Sequence, residues 1–351
     1  MNQRSVTSMQ RVLTTLDHQE PDRVPFFLLA TLHGAKEVGL PIKTYFSDPD
    51  NVVEGQMRLL AKYRHDCIYG FFYAPVEIAA FGGEVVFIDD GPPNSGEPVI
   101  KKAGDIKNLA VPDVKNTPCL EKVLTAIHRL KHRVKDAVPI IGVVMSPFSL
   151  PVMQMGFDRY FDLMFDDPDL FAHLMKLNQA FCAAWANAQL AAGATAICYF
   201  DPVSSTTITT REMYLKTGYA VAQQTLAEIN GPTATHMASG RCLPIIDDIS
   251  ATGTAAVGVS CHEDLALIKT ACRGKISVIG NLNGIEMCRW SAKDAETRVK
   301  EAIAKAGAGG GFILSDNHGE IPFQVPDDVL TAISEAVHEW GRYPLEWTAG
   351  R

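Results

Sequence analysis

Short apolar runs recur along the chain, and stretches with helical periodicity separate them. Most of these runs are continuously apolar rather than alternating, which is typical of strands buried on both faces of a parallel sheet. Eight strands that alternate with helices predict an α/β fold, a single (β/α)8 TIM barrel. The predicted strands are residues 23–30, 67–74, 139–146, 194–201, 233–237, 255–260, 277–281 and 311–316.

Two additions to this barrel are predicted. A helix that begins at Ser5 or Thr7 and ends before Pro21 forms an N-terminal extension. Two short extended pieces around a Pro/Asn/Gly turn, within residues 84–102, predict a hairpin inserted after the second strand. We find no linker or internal repeat, so we expect one domain over residues 1–351, with the barrel at about 23–345.

Composition narrows the class of protein. With 32 Lys and Arg against 40 Asp and Glu, and no basic run interleaved with aromatic residues, nucleic acid is not expected as a partner. No apolar run reaches the roughly 18 residues that a membrane span needs. The start of the chain lacks a signal-peptide pattern, and the eight cysteines contain no C-x-x-C pair. We therefore expect a cytoplasmic protein with reduced thiols and no membrane segment.

The residues that follow the predicted strands are the candidates for chemistry, because the active sites of such barrels lie at the carboxyl ends of the strands. Histidine and thiolate are zinc ligands, and a catalytic zinc needs three protein ligands with one position open. Other interpretations stay open: a core histidine bonded to a carbonyl at 236, a buried small hydrophobe at 261 and a helix cap at 201. The candidates are Phe72, Tyr73, Phe148, Asp201, Ser204, His236, Cys261, His262, Glu263, Asn281 and His318.

Four stretches of the chain resemble the uroporphyrinogen decarboxylase superfamily. They are RVLTTLDHQEPDRVPF, YFDPVSS, VIGNLNG and GGGFILSDNHGEIPFQVPDD, and the likeness extends from about residue 8 to 345. The superfamily contains a cofactor-free haem-pathway decarboxylase and zinc-dependent, corrinoid-linked methyltransferases. The resemblance implies a (β/α)8 barrel, in agreement with the strand count.

The decarboxylase branch fits poorly. Its Arg-Gln-Ala-Gly-Arg stretch, which binds the substrate carboxylates, corresponds here to LLATLHGAKEVG, which has no arginine. Tyr73 stands where that branch has its essential Asp. A substrate with many carboxylates needs cationic partners. His318-Gly319 after the last strand nevertheless matches a His-Gly of this branch.

The methyltransferase branch fits better, with one departure. Asp201-Pro202 resembles its D-P-x-A-S stretch, and His236 and His318 fall on two of its zinc ligands, but Ala238 replaces the cysteine of its His-x-Cys motif. The resemblance implies either zinc held by His236, His318 and a substitute, or no zinc. The substitutes are Cys261, Glu263 and Asp201.

The resemblance implies methyl transfer between a small methylated substrate and a corrinoid (cobalamin) carried by a partner protein, with Asp201 and His318 as catalytic residues. Phe72, Tyr73 and Phe148 would line an apolar wall for the substrate, beside Ser204 and Asn281, unless these rings are ordinary barrel packing. Two alternatives are a metal-independent decarboxylase or lyase and a non-catalytic small-molecule-binding barrel. Barrels of this superfamily often pair through their helices, so the resemblance suggests a homodimer.

Overall fold

A computed structural model describes residues 6–348, and its centre is a curled sheet of seven parallel strands. These strands are β1 (Ile68–Tyr69), β4 (Ile140–Met145), β5 (Ala196–Phe200), β6 (Thr233–His236), β7 (Ala256–Gly258), β8 (Ser277–Leu282) and β9 (Phe312–Asp316), and they are neighbours in that order. A separate antiparallel pair, β2 (Val85–Val86) and β3 (Asn94–Ser95), forms the hairpin predicted after the second strand. The α/β barrel and its hairpin insertion are therefore confirmed.

Fifteen α-helices surround the sheet within the described residues. They are α1 (Ser8–Leu16), α2 (His33–Val38), α3 (Ile42–Tyr45), α4 (Pro49–Tyr63), α5 (Val76–Ala80), α6 (Pro118–Val134), α7 (Leu150–Met155), α8 (Phe157–Asp166), α9 (Pro168–Ala192), α10 (Arg211–Lys216), α11 (Gly218–Ala227), α12 (Ile246–Ser250), α13 (Leu265–Cys272), α14 (Ala292–Ala306) and α15 (Asp327–Trp340). No helix in this part of the chain is long and apolar enough to cross a membrane.

The first predicted strand, residues 23–30, is not a regular strand, and this corrects the strand count. The segment nevertheless lies beside β9, because Phe27 N–H donates to the Leu314 carbonyl at 3.1 Å and Leu314 N–H donates to the Pro25 carbonyl at 2.9 Å. Pro25 has no N–H to give, and the Phe26 N–H donates to the Asp66 carboxylate at 2.9 Å. The segment therefore occupies the eighth position of the barrel without a full ladder.

The N-terminal extension is confirmed as helix α1, and it covers the amino-terminal end of the barrel. Thr7 caps it, accepting from the Gln10 N–H while the Gln10 side chain accepts from the Thr7 N–H. The alternative start, Ser5, lies outside the described residues. Val12 and Leu16 pack on apolar residues at the beginning of the strands. The opposite, carboxyl-terminal end of the barrel remains accessible.

Glu77 in α5 is a buried carboxyl group that carries a stability cost. Its Oε1 accepts from the Met145 N–H at 3.0 Å, and Oε2 has no hydrogen-bond partner among the described residues. Burial raises its pKa from an ordinary 4.5 to about 8. A carboxyl whose pKa is raised by folding makes the folded state less stable as pH rises from the unfolded to the folded pKa.

We expect Glu77→Gln to be more stable than the wild type at pH 8, by on the order of a few kcal/mol, with little difference near pH 4.5. Glutamine keeps the acceptor for Met145 and cannot ionise. Urea unfolding at pH 4.5, 6 and 8 measures the difference. Glu335→Gln, on the exposed side of α15, is the control, because exposed substitutions usually change stability by less than about 0.5 kcal/mol. A Glu77→Gln difference that does not grow with pH would contradict this account.

Candidate functional site

A cavity of about 330 Å³ opens at the carboxyl ends of the strands. Met145, Phe200 and His236 are the last residues of β4, β5 and β6, and all three line it. The segment after β1 and the β2–β3 hairpin provide most of the remaining wall. No Lys or Arg is among its lining residues, which are Leu29, Leu32, Tyr69, Phe71, Phe72, Tyr73, Ala74, Pro75, Pro92, Pro93, Asn94, Ser95, Val143, Met145, Met153, Cys198, Phe200, His236, His318, Gly319 and Glu320.

Five aromatic residues line the cavity, and we call this set the aromatic wall: Tyr69, Phe71, Phe72, Tyr73 and Phe200. The Phe46 ring packs against two residues of this wall. The Phe46 ring lies 5.7 Å from the Phe72 ring and 5.2 Å from the Tyr73 ring, between centroids. Such edge and tilted contacts hold aromatic rings in position. The structure thus places the two predicted wall residues, Phe72 and Tyr73, at one cavity.

His236 lies at the bottom of the cavity in a fixed orientation. Its ring stacks on Phe200 at 4.9 Å with 12° between the planes, and its Nδ1 accepts from the Ala238 N–H at 2.9 Å. Burial lowers the pKa of His236 to about 4. Because Nδ1 is the acceptor, the neutral ring carries its hydrogen on Nε2. His236 is therefore a neutral hydrogen-bond donor through Nε2.

His318 lies at the same cavity, in the loop after β9. The Ser239 hydroxyl donates to its Nδ1, and its Nε2 donates to the Asn283 Oδ1 at 2.9 Å. Burial lowers the pKa of His318, and nearby His262 lowers it further. Both ring nitrogens are already occupied by hydrogen bonds. The ring is held between two polar side chains rather than free.

Glu320 is the carboxyl group of the cavity, and it was missed in the sequence analysis. Its Oε1 accepts from the Leu32 N–H at 2.6 Å, and Ile321 N–H donates to the Leu29 carbonyl at 2.7 Å, so the loop after β9 is tied to residues 29–32. Burial raises the pKa of Glu320 well above its usual range. The signal that could have found it is its place just beyond His318-Gly319 at the same strand end.

Three predicted site residues line neither this cavity nor the more polar one beside it. The Asp201 Oδ1 accepts from the hydroxyls of Ser146 at 2.5 Å and Ser149 at 2.8 Å, which joins the loops after β4 and β5, and burial raises its pKa. Ser204 is fully buried beside Gly218. Phe148 packs in a separate core cluster with Tyr160. Asp201, which the resemblance implied as a catalytic residue, does not line the cavity that His236 and His318 line.

The remaining predicted residues line a neighbouring, more polar cavity of about 300 Å³. Cys261, Glu263 and Asn281 lie there, and burial raises the pKa of the Cys261 thiol. The Glu263 carboxylate accepts from the N–H groups of Cys242 and Leu243 at 2.9 and 2.8 Å, while the Asn281 amide donates to the Ser260 carbonyl at 2.9 Å. The Glu263 and Asn281 side chains are therefore hydrogen-bonded to the backbone of neighbouring loops.

The donor arrangement does not fit the zinc site that the resemblance implies. Across residues 6–348, no three His, Cys, Asp or Glu side chains are grouped closely enough to hold a metal ion. His236 would have to ligate through Nε2, which carries the hydrogen while Nδ1 accepts from Ala238. The substitutes Cys261 and Glu263 line the neighbouring cavity, and Asp201 is bonded to two serines.

Comparisons of the sequence with known proteins agree on one family. The family described as Uroporphyrinogen decarboxylase (URO-D) matches residues 7–340. A protein of Idiomarina loihiensis named uroporphyrinogen decarboxylase is 26% identical, over 94% of this chain and 95% of its own. A protein of the same name from Janthinobacterium sp. is also 26% identical, over 84% of each chain.

Solved structures similar to this chain include a methyltransferase and a methionine synthase. A methyltransferase from Methanosarcina mazei matches with a TM-score of 0.85 and 20% identity, over 95% of this chain and 99% of that one. A B12-independent methionine synthase from Shewanella sp. W3-18-1 matches with a TM-score of 0.54 and 14% identity, over 85% of this chain and 89% of that one. At these identities the likeness concerns the fold.

Proposed function

Because this chain belongs to the uroporphyrinogen decarboxylase family, we propose that it is an enzyme that transfers a methyl group between a small methylated substrate and a corrinoid on a separate protein. The observation that carries the proposal is the cavity of about 330 Å³ with its aromatic wall. Its volume is at the lower end of the range for small-molecule sites, which suits a substrate of few atoms.

The polarity of the cavity argues against the porphyrinogen substrate of the named relatives. Binding several carboxylates takes Arg or Lys side chains in bidentate or clustered arrangements. Neither residue type is among those that line this cavity. The overall similarity to the Methanosarcina mazei methyltransferase, with its TM-score of 0.85, adds support to the methyltransferase alternative within the family.

The side chains of this cavity can position and desolvate a methylated compound. The aromatic wall excludes water, which strengthens every polar interaction inside the cavity. The His236 Nε2–H and the Glu320 carboxyl are two of the polar groups that can orient a substrate against this wall. The reduced corrinoid would supply the electron pair that forms the new bond to the methyl carbon. Zinc is not part of the proposed site, because the described His, Cys, Asp and Glu side chains are not grouped to hold it.

The test is methyl transfer between purified protein, cob(I)alamin and a panel of methylated ethers, thioethers and amines, followed by absorbance. We expect transfer from one class of donor, and we expect Ala74→Phe to abolish it. Ala74 is partly exposed and lines the cavity, so the larger ring fills space that the substrate needs without entering the core.

Ala251→Phe is the matched control, because Ala251 is exposed at the end of α12, away from the cavity. It should transfer methyl groups at the wild-type rate. No transfer from any donor, with CO₂ released from a small carboxylic acid, would favour the decarboxylase or lyase. Binding without either reaction would favour the non-catalytic barrel. Equal rates for wild type and Ala74→Phe would show that the reaction takes place elsewhere.

A further inference from the structure

We propose that the methylated substrate is a quaternary ammonium compound, held between the Glu320 carboxylate and the aromatic wall. This inference rests on the proposed methyl transfer and adds the substrate class to it. Three observations point to a cation with methyl groups on nitrogen rather than to a methyl ether or thioether. They are the carboxyl group without a cationic partner, the ring composition of the cavity, and the leaving group that the described side chains can accommodate without a metal.

The first observation is that Glu320 lacks a cationic partner. It lines the cavity, accepts from the Leu32 N–H, and forms no ion pair with any described Lys, Arg or His. The charged neighbour that acts on it is Asp316, which has the same sign. A carboxyl group in an apolar cavity is costly to ionise, and a cation bound beside it compensates that cost. With no lysine or arginine in the lining, the ligand is the available source of that charge.

The second observation is the aromatic wall itself. A quaternary ammonium group is bulky, weakly hydrated and attracted to the faces of aromatic rings, and several rings together form the usual recognition site for it. Five aromatic residues line this one cavity with Glu320: Tyr69, Phe71, Phe72, Tyr73 and Phe200. A neutral ether would gain only apolar burial there. A cation gains both ring and carboxylate interactions.

The third observation concerns the leaving group. Methyl transfer from an ether or thioether needs an acid or a metal to stabilise the departing oxygen or sulfur. From a quaternary ammonium the C–N bond breaks with its electron pair staying on nitrogen, and a neutral tertiary amine leaves without taking a proton. A reduced corrinoid on the partner protein would supply the electron pair for the new bond to the methyl carbon, and its metal would be oxidised by two electrons. Among residues 6–348 no side chains are grouped to hold a metal that would stabilise a departing oxygen or sulfur, and a neutral amine needs no such stabilisation.

The experiment compares two probes of the same shape, choline and 3,3-dimethylbutan-1-ol, in which a carbon replaces the quaternary nitrogen. Calorimetry with the full-length protein measures both Kd values. We expect choline to bind at least about tenfold more tightly. We expect Glu320→Gln, which keeps an acceptor for Leu32, to remove that preference while the Kd of the neutral probe changes less than about twofold.

Two further variants make the test specific. Phe72→Leu keeps an apolar side chain and should weaken choline binding more than alcohol binding. Glu335→Gln removes a surface carboxylate and should change neither Kd. Equal or tighter binding of the neutral alcohol, or no binding of either probe, would overturn the substrate class. If the substrate class is overturned but a methyl ether is a donor, the proposed methyl transfer still stands. If the protein prefers choline but transfers a methyl group from no donor, the proposed methyl transfer is wrong, while the preference for a quaternary ammonium ligand stands.

Discussion

Asp66→Ala is expected to lower the free energy of unfolding by about 3–5 kcal/mol, the usual cost of leaving buried partner charges uncompensated. The Asp66 side chain is fully buried and pairs with Arg11 and Arg23, each at 2.7 Å. It also accepts from the Phe26 N–H at 2.9 Å. This one carboxylate joins α1, the closing segment at 23–30 and the start of β1. Chemical denaturation monitored by circular dichroism measures the loss.

Asp136→Ala is the control for this prediction. Asp136 pairs with Lys131 at 2.6 Å, but its side chain is 89% exposed. Exposed ion pairs contribute little, because water already solvates both charges. The control should therefore unfold within about 1 kcal/mol of the wild type. If both variants lose the same small amount, Asp66 does not hold the amino-terminal end of the barrel together.

Gly258→Ala is expected to reduce methyl transfer about 100-fold, the typical cost of displacing a catalytic group by about 1 Å. A Cβ on residue 258, the last of β7, would come within 2.4 Å of the His236 Cδ2. The His236 ring can move away from this Cβ only by losing its stacking on Phe200 or its hydrogen bond from the Ala238 N–H. Initial rates in the cobalamin assay measure the effect.

Gly104→Ala is the matched control, since a Cβ at residue 104 meets nothing within 4 Å. It should retain wild-type rates and stability. Thermal unfolding separates loss of the site from loss of the fold, because overpacking costs about 1–3 kcal/mol and leaves a barrel of this size folded. A Gly258→Ala protein with unchanged rates would show that the position of the His236 ring is not needed for the reaction.

Local patterns in the sequence were enough to predict the barrel and its additions. Continuous apolar runs indicate strands covered on both sides, and Thr7 with Gln10 provides a complete capping box at the start of α1. The Pro/Asn/Gly turn predicts the β2–β3 hairpin. These signals act between residues close in the chain, so the sequence reports them directly. The irregular backbone of residues 23–30 could not be predicted in this way, because the Phe26 N–H donates to the carboxylate of Asp66, which lies far along the chain.

The sequence by itself thus determined the barrel, and it predicted His236, His318, Phe72 and Tyr73, which the structure brings to one cavity. Only the tertiary structure decided which strand-end side chains meet. Asp201 turns to two serines, Cys261 lines the next cavity and Glu320 enters the first one. The reason is physical: loops from separate strands converge at the barrel mouth, and small rotations of each side chain decide which cavity it faces, which no spacing along the chain records.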